Sequence, residues 1–201
     1  IKVISKLVSK LLIDNTKLSK NNLQSIRQEY LNFLSSLDIN ESIITDKMPT
    51  NFEYIGFILK AIPEAKIIHI KRDPMATCWS IYFNYFSARG LGFPYSMDDL
   101  SGYYKSYIDL MNYWHTAFPN KIYDISYEDL TVNQEIETRK LLEYCELEWD
   151  ENCLNFYKNK TAMKTTSALQ VRQKIYQGSS EVWKQYEDYL QPLIKGLNYY
   201  S

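Results

Sequence analysis

The sequence predicts an α/β protein, a parallel sheet layered with helices, on three observations. Short apolar runs bounded by charge alternate along the chain with longer segments of helical periodicity. One of these runs, Ile67 to Ile70, passes directly into a helix through Arg72, Asp73 and Pro74, with Asp73 as N-cap and Pro74 at the first helical position. The 201 residues, 45% hydrophobic and 23% charged, are one domain's worth and can bury roughly 70% of their unfolded surface.

Each element follows from local pattern. In IKVISKLVSKLLIDN the apolar Ile1, Ile4, Leu7, Val8, Leu11 and Leu12 share one face and Lys2, Lys6 and Lys10 the other, which reads as a core-facing helix, with a helix lying on an anionic membrane as the alternative. Lys20 to Leu37 repeats the helical spacing through Leu23, Ile26, Tyr30, Leu31 and Leu34. Ser42 to Thr45 reads as a short buried strand, with Asp46, Lys47 and Met48 in the turn at its carboxyl end. Thr50 or Asn51 then caps a helix to about Ala61, stopped by Pro63. Residues 66 to 86 carry a second buried strand and a helix with Thr77, Ser80 and Asn84 on one face. A loop follows at 88 to 96, and Met97 to Phe118 forms a long helix whose aromatic stripe suits a core.

KIYDIS, the next strand, delivers Tyr127 and Glu128 to the end of the sheet, and Val132 to Cys145 is helical. After a short helix in CLNFYKNK, residues 161 to 180 are polar and aperiodic, an unusual length of loop for a compact domain and one that points to function. A last helix, Glu181 to Leu197, turns Trp183, Tyr186, Leu190 and Leu193 to the core.

Composition narrows the function classes. With 23 basic and 24 acidic side chains the net charge is -1, so no global field recruits nucleic acid and any anion site is local. The three cysteines lack CxxC spacing, which argues against a disulfide framework and against a zinc site and favours a reducing compartment. No run of about 18 apolar residues spans a membrane. The absence of a secretory signal suggests the cytoplasm, and the missing initiator Met suggests that the chain is part of a longer protein.

Arg72 stands at the carboxyl end of a strand, beside a helix N-terminus with hydroxyls at Thr77 and Ser80. That edge of a parallel sheet is where ligands bind, and a guanidinium there suits an oxyanion such as phosphate. Lys47, at the end of the preceding strand, converges on the same edge. The alternatives are a plain strand-to-helix turn at Arg72 and a solvated turn lysine at Lys47. His69 reads as a hydrogen-bonded core histidine and His115 as a surface one.

Five blocks in order, TDKMP at 45 to 49, KIIHIKRDPMATCWS at 66 to 80, YEDL at 127 to 130, TSALQVR at 166 to 172 and WKQYEDYLQPL at 183 to 193, resemble the carboxy-terminal two thirds of sulfotransferases. The likeness covers roughly residues 20 to 197 and is nearest to the bacterial tetratricopeptide-repeat-associated branch, itself similar to tyrosylprotein sulfotransferases. It implies a three-layer fold like the P-loop kinases, with a parallel sheet flanked by helices. It also implies transfer of a sulfuryl group from 3'-phosphoadenosine 5'-phosphosulfate (PAPS, leaving PAP) to a hydroxyl acceptor, whether small molecule, glycan or peptide, with no metal.

Carried over by position, Arg72 and Ser80 match the pair that binds the 3'-phosphate, and Tyr127 the aromatic residue near the adenosine. The segment from Ser167 to Tyr176, with Gln170, Val171 and Arg172, matches the part that wraps the nucleotide. Ser167 matches the serine near the transferring sulfate, and Lys47 the lysine at the scissile sulfate. Two positions depart from the tyrosylprotein pattern, with Asn84 and Val182 standing where that branch is basic. The six glycines, at 56, 90, 92, 102, 178 and 196, form no phosphosulfate-cradling loop. The expectation is therefore a single, partial domain over residues 1–201, lacking the first strand, that loop and the catalytic carboxylate, which does not catalyse transfer by itself. The competing expectation is an inactive PAP-binding or partner-binding module of the same fold.

Overall fold

The computed structural model describes residues 2–14, 17–37, 39, 41–86, 92–159 and 172–199. They form two compact units, one of Ile1–Ile67 with Tyr107–Lys121, the other of Ile68–Ser106 with Ile122–Ser201.

In the first unit, α1 (Lys2–Ile13) and α2 (Lys20–Ser35) form where the apolar spacing predicts them. Ser19 caps α2 reciprocally with Asn22. The Asn22 N–H donates to Ser19 Oγ at 3.2 Å and the Ser19 N–H donates to Asn22 Oδ1 at 2.9 Å. A 3₁₀ turn, Pro49–Tyr54, leads into α3 (Ile55–Ala61). Ile4, Val8, Ile26, Ala61 and Ile62 make the core. Gly56 lets α3 meet residue Trp114, since a Cβ there would lie 2.6 Å from the Trp114 ring.

The strand expected at Ser42–Thr45 does not form. Among the described residues that segment has no strand partner, and its apolar pair is exposed, Ile43 at 55% and Ile44 at 40%. Two apolar residues between polar neighbours bury too little to fix a strand by themselves.

The second unit holds the sheet, in which β1 (Ile67–Lys71) pairs with β2 (Ile122–Ser126). His69 bonds Asp124 and the Asp73 N–H bonds Glu128, both across 55 residues, a constant offset that makes the strands parallel and in register. β1 is less buried than its sequence suggests, with Ile68 at 41% and Ile70 at 60% exposure. The β2 half of the same face is covered, with Ile125 buried and Tyr123 stacked on Tyr144, so the exposure is confined to β1.

From β1 the chain enters α4 (Pro74–Phe83), and α5 (Met97–Ala117) begins in this unit. After β2 come α6 (Tyr127–Val132) and α7 (Gln134–Tyr144). The helix expected over Val132 to Cys145 is α7, and the short α6 before it, capped by Ser126, was not expected. In place of the short helix expected in CLNFYKNK, a 3₁₀ turn, Glu151–Cys153, leads into the segment and a second, Phe156–Lys158, lies within it. The last segment divides into a 3₁₀ stretch, Val182–Tyr189, and α8 (Gln191–Leu197), because Pro192 has no N–H to continue the ladder and suits a first helical turn. Trp183, Leu190 and Leu193 of the expected face dock, joined by Ile194, against Met75, Cys78 and Leu100, whereas Tyr186 is 40% exposed and stacks on Trp79 at the edge of the cluster.

Candidate functional site

The strand-to-helix turn is built as the sequence dictates. Asp73 caps α4 by accepting the Ala76 N–H at 2.7 Å on Oδ1, and its Oδ2 accepts the Tyr199 hydroxyl at 2.5 Å. The Asp73 N–H in turn donates to Glu128 Oε1 at 3.1 Å, which ties the end of β1 to the first turn of α6. Arg72 is therefore presented from a turn held on three sides.

The half-buried guanidinium of Arg72 lies with Cζ 5.0 Å from the Tyr127 ring centroid. Its Nε donates to Ser180 Oγ at 3.2 Å and Nη2 to the Ser179 carbonyl at 2.7 Å. Ser179 Oγ also bonds the Tyr127 hydroxyl at 2.9 Å, and Ser180 Oγ donates to Glu128. Among the described residues Nη1 of Arg72 has no partner and Arg72 makes no direct ion pair. Burial pushes the Glu128 carboxyl up. The Ser180 hydroxyl, the Asp73 N–H and the Arg72 charge outweigh that and hold it below its ordinary value.

One step back along the strands, Asp124 accepts from His69 Nδ1 at 2.8 Å and pairs with Lys71. Burial raises the Asp124 carboxyl, and the hydrogen bonds and charges of Lys71 and His69 more than reverse this. His69 is the hydrogen-bonded core histidine the sequence suggests, whereas His115 is half-buried rather than on the surface.

Of the expected site residues, Arg72 and Tyr127 are brought together. Ser80 lies on the second turn of α4, and its carbonyl accepts the Asn84 side-chain amide at 2.6 Å. Asn84 ends the helix in an extended conformation and does not continue the row of hydroxyls. Arg172 and Tyr176 are exposed. Ser167, Gln170 and Val171 lie outside the described residues. Lys47 is exposed in the first unit, and without a strand before it the expected placement at a strand end falls away. Its neighbour Asp46 accepts the Tyr30 hydroxyl at 3.3 Å; burial, with the Asp46 charge, pushes that phenol up to about 12.

Ser179 and Ser180 were missed by pattern reading. The available signal was Gly178 before two hydroxyl residues at the onset of the last periodic segment. Gly178 has φ +89, a turn that glycine makes without strain and that delivers both serines to Arg72.

Comparison with known proteins decides the family. The Sulfotransferase family model matches residues 13–151, more than half of the chain. The chain is a member of the sulfotransferase family. An uncharacterized protein of Aquifex aeolicus (strain VF5) is 40% identical over 175 residues, a match that takes in 86% of this chain and 23% of that protein. The sulfotransferase chain thus spans about a quarter of the length of this relative. Among solved structures, the Sulfotransferase Domain from the Curacin Biosynthetic Pathway superposes with a TM-score of 0.59 over 87% of this chain and 68% of that one, at 16% identity, a likeness of fold. Membership implies a sulfonate donor and an acceptor substrate. No helix among the described residues is long and apolar enough to cross a membrane.

Proposed function

We propose that this sulfotransferase chain supplies the nucleotide-binding end of a site that moves a sulfuryl group from PAPS to a hydroxyl acceptor. The observation that carries this is Arg72. Its guanidinium is fixed along one edge by Ser179 and Ser180 and packed against Tyr127, while Nη1 is left without a partner among the described residues. A half-buried cation held in this way suits a phosphate dianion, which it can take as a fork, and so the residues present fit a 3'-phosphorylated nucleotide.

Arg72, with Ser80 from α4, would hold the 3'-phosphate, and the Tyr127 ring would face the adenosine. By resemblance, Ser167, Gln170, Val171, Arg172 and Tyr176 would supply further nucleotide contacts, with Ser167 serving the transferring group. PAPS supplies the activated sulfuryl group and leaves as PAP. Such transfer depends mainly on alignment and on stabilising charge at the equatorial and leaving oxygens, and a lysine at the bridging oxygen acts as a point charge.

Calorimetric titration with PAP and with AMP, which lacks the 3'-phosphate, tests the reading. PAP should bind about tenfold or more tighter, as one charge-assisted contact of roughly 1.5 to 3 kcal/mol requires. Equal affinities would remove the basis for a 3'-phosphate site.

A further inference from the structure

We propose that Glu128, acting through Ser180, is the positioning residue for Arg72, and that the Arg72, Ser180 and Glu128 relay sets the preference for a 3'-phosphate. This deepens the nucleotide reading above and rests on it. The relay has a fixed polarity. Arg72 Nε donates to Ser180 Oγ, and Ser180 spends its only proton on Glu128 Oε1, so its lone pairs must face the guanidinium. Ser180 is 7% exposed, and water does not readily substitute for either partner. The same carboxylate oxygen accepts the Asp73 N–H, so one atom fixes both the backbone that carries Arg72 and the hydroxyl that orients its side chain.

The intervening hydroxyl matters electrostatically. A carboxylate in direct contact with Arg72 would compete with a bound anion for the guanidinium. Here Glu128 meets Arg72 through Ser180 and is itself engaged by two donors, which leaves the Nη1 side of the fork and the cation's charge to a ligand. The carboxylate thus orients the arginine without neutralising it. Glu128 sits two residues beyond the end of β2 and Ser180 lies 108 residues from Arg72, so three distant segments converge on one side chain.

The experiment compares PAP and AMP affinities of the 201-residue chain and its variants, with cooperative melting as the folding control. Glu128→Ala and Ser180→Ala should each lower the PAP:AMP ratio about tenfold. Glu128→Gln, whose amide oxygen can accept the same bonds, should keep the ratio within about threefold of the parent. In an Arg72→Ala background Glu128→Ala should lower the ratio no further, a non-additivity that a merely structural role would not produce. If Glu128→Ala fails to melt cooperatively, Ser180→Ala and Glu128→Gln decide. A parent that prefers PAP, an Arg72→Ala that loses the preference, and Glu128 and Ser180 variants that retain it would overturn the relay alone. A parent with no preference for PAP would overturn the nucleotide reading, and the relay with it.

Discussion

Arg72 and Tyr127 stand at the ends of neighbouring parallel strands, and the guanidinium of one lies over the ring of the other at 5.0 Å. Neither β1 nor α6 supplies the pair alone. The register of the two strands, which also brings Asp73 to Glu128, sets their approach.

The ring and the hydroxyl of Tyr127 can be separated. Tyr127→Phe keeps the stacking surface and loses only the bond to Ser179, so PAP affinity should change by less than about threefold. Tyr127→Ala removes the cation–π contact as well and should weaken PAP about tenfold. Equal effects of the two variants in calorimetry would show that the ring contributes nothing.

Gly56→Ala should destabilise the first unit. The new methyl would lie 2.6 Å from Trp114 Cζ3, and this ring is anchored by its Nε1–H donating to the Phe52 carbonyl at 2.8 Å. Overpacking of this kind costs about 1 to 3 kcal/mol, readable as a lower urea midpoint. An unchanged midpoint would mean that the Trp114 ring moves freely.

Cys78 should resist thiol reagents in the native state. It is fully buried, and burial, with the Asp73 charge adding to it, pushes its thiol up to about 12, so almost no thiolate exists at neutral pH. Native protein should therefore label at Cys145 and Cys153, with Cys78 reacting only on unfolding. Mass spectrometry of labelled peptides checks this, and rapid native labelling of Cys78 would contradict the packing of α4.

Acid stability should depend on Asp124. Its carboxyl is held below the ordinary value, so the stability it contributes is fully present above the unfolded-state pKa of about 3.9 and is lost as the pH falls through the lower folded value. The melting temperature should fall across that acid range, and Asp124→Asn should flatten the fall while lowering the plateau at neutral pH. A variant with the parent's acid limb would place the responsible carboxylate elsewhere.

Local chemistry made much of this legible in the sequence. Asp73 and Pro74 mark the start of α4 because capping and the fixed φ of proline act within a few residues, and Arg72 is placed at the strand end by the same turn. The buried face of the last segment was legible through Trp183, Leu190 and Leu193, but not its break, which follows from Pro192. Ile43 and Ile44 imitate a strand, because an apolar pair does not reveal whether a neighbouring strand exists to receive it. Ser179 and Ser180 were illegible for a related reason. Their importance comes from contacts with a residue more than 100 positions away, and nothing in QGSS states that partner.

The most direct measurement is calorimetric titration of PAP into the parent chain and into Arg72→Ala side by side. The account predicts micromolar binding by the parent and a loss of about 10- to 100-fold in the variant, with both proteins melting cooperatively. Equal binding by the two, or none by a cooperatively folded parent, would contradict a 3'-phosphate site at Arg72.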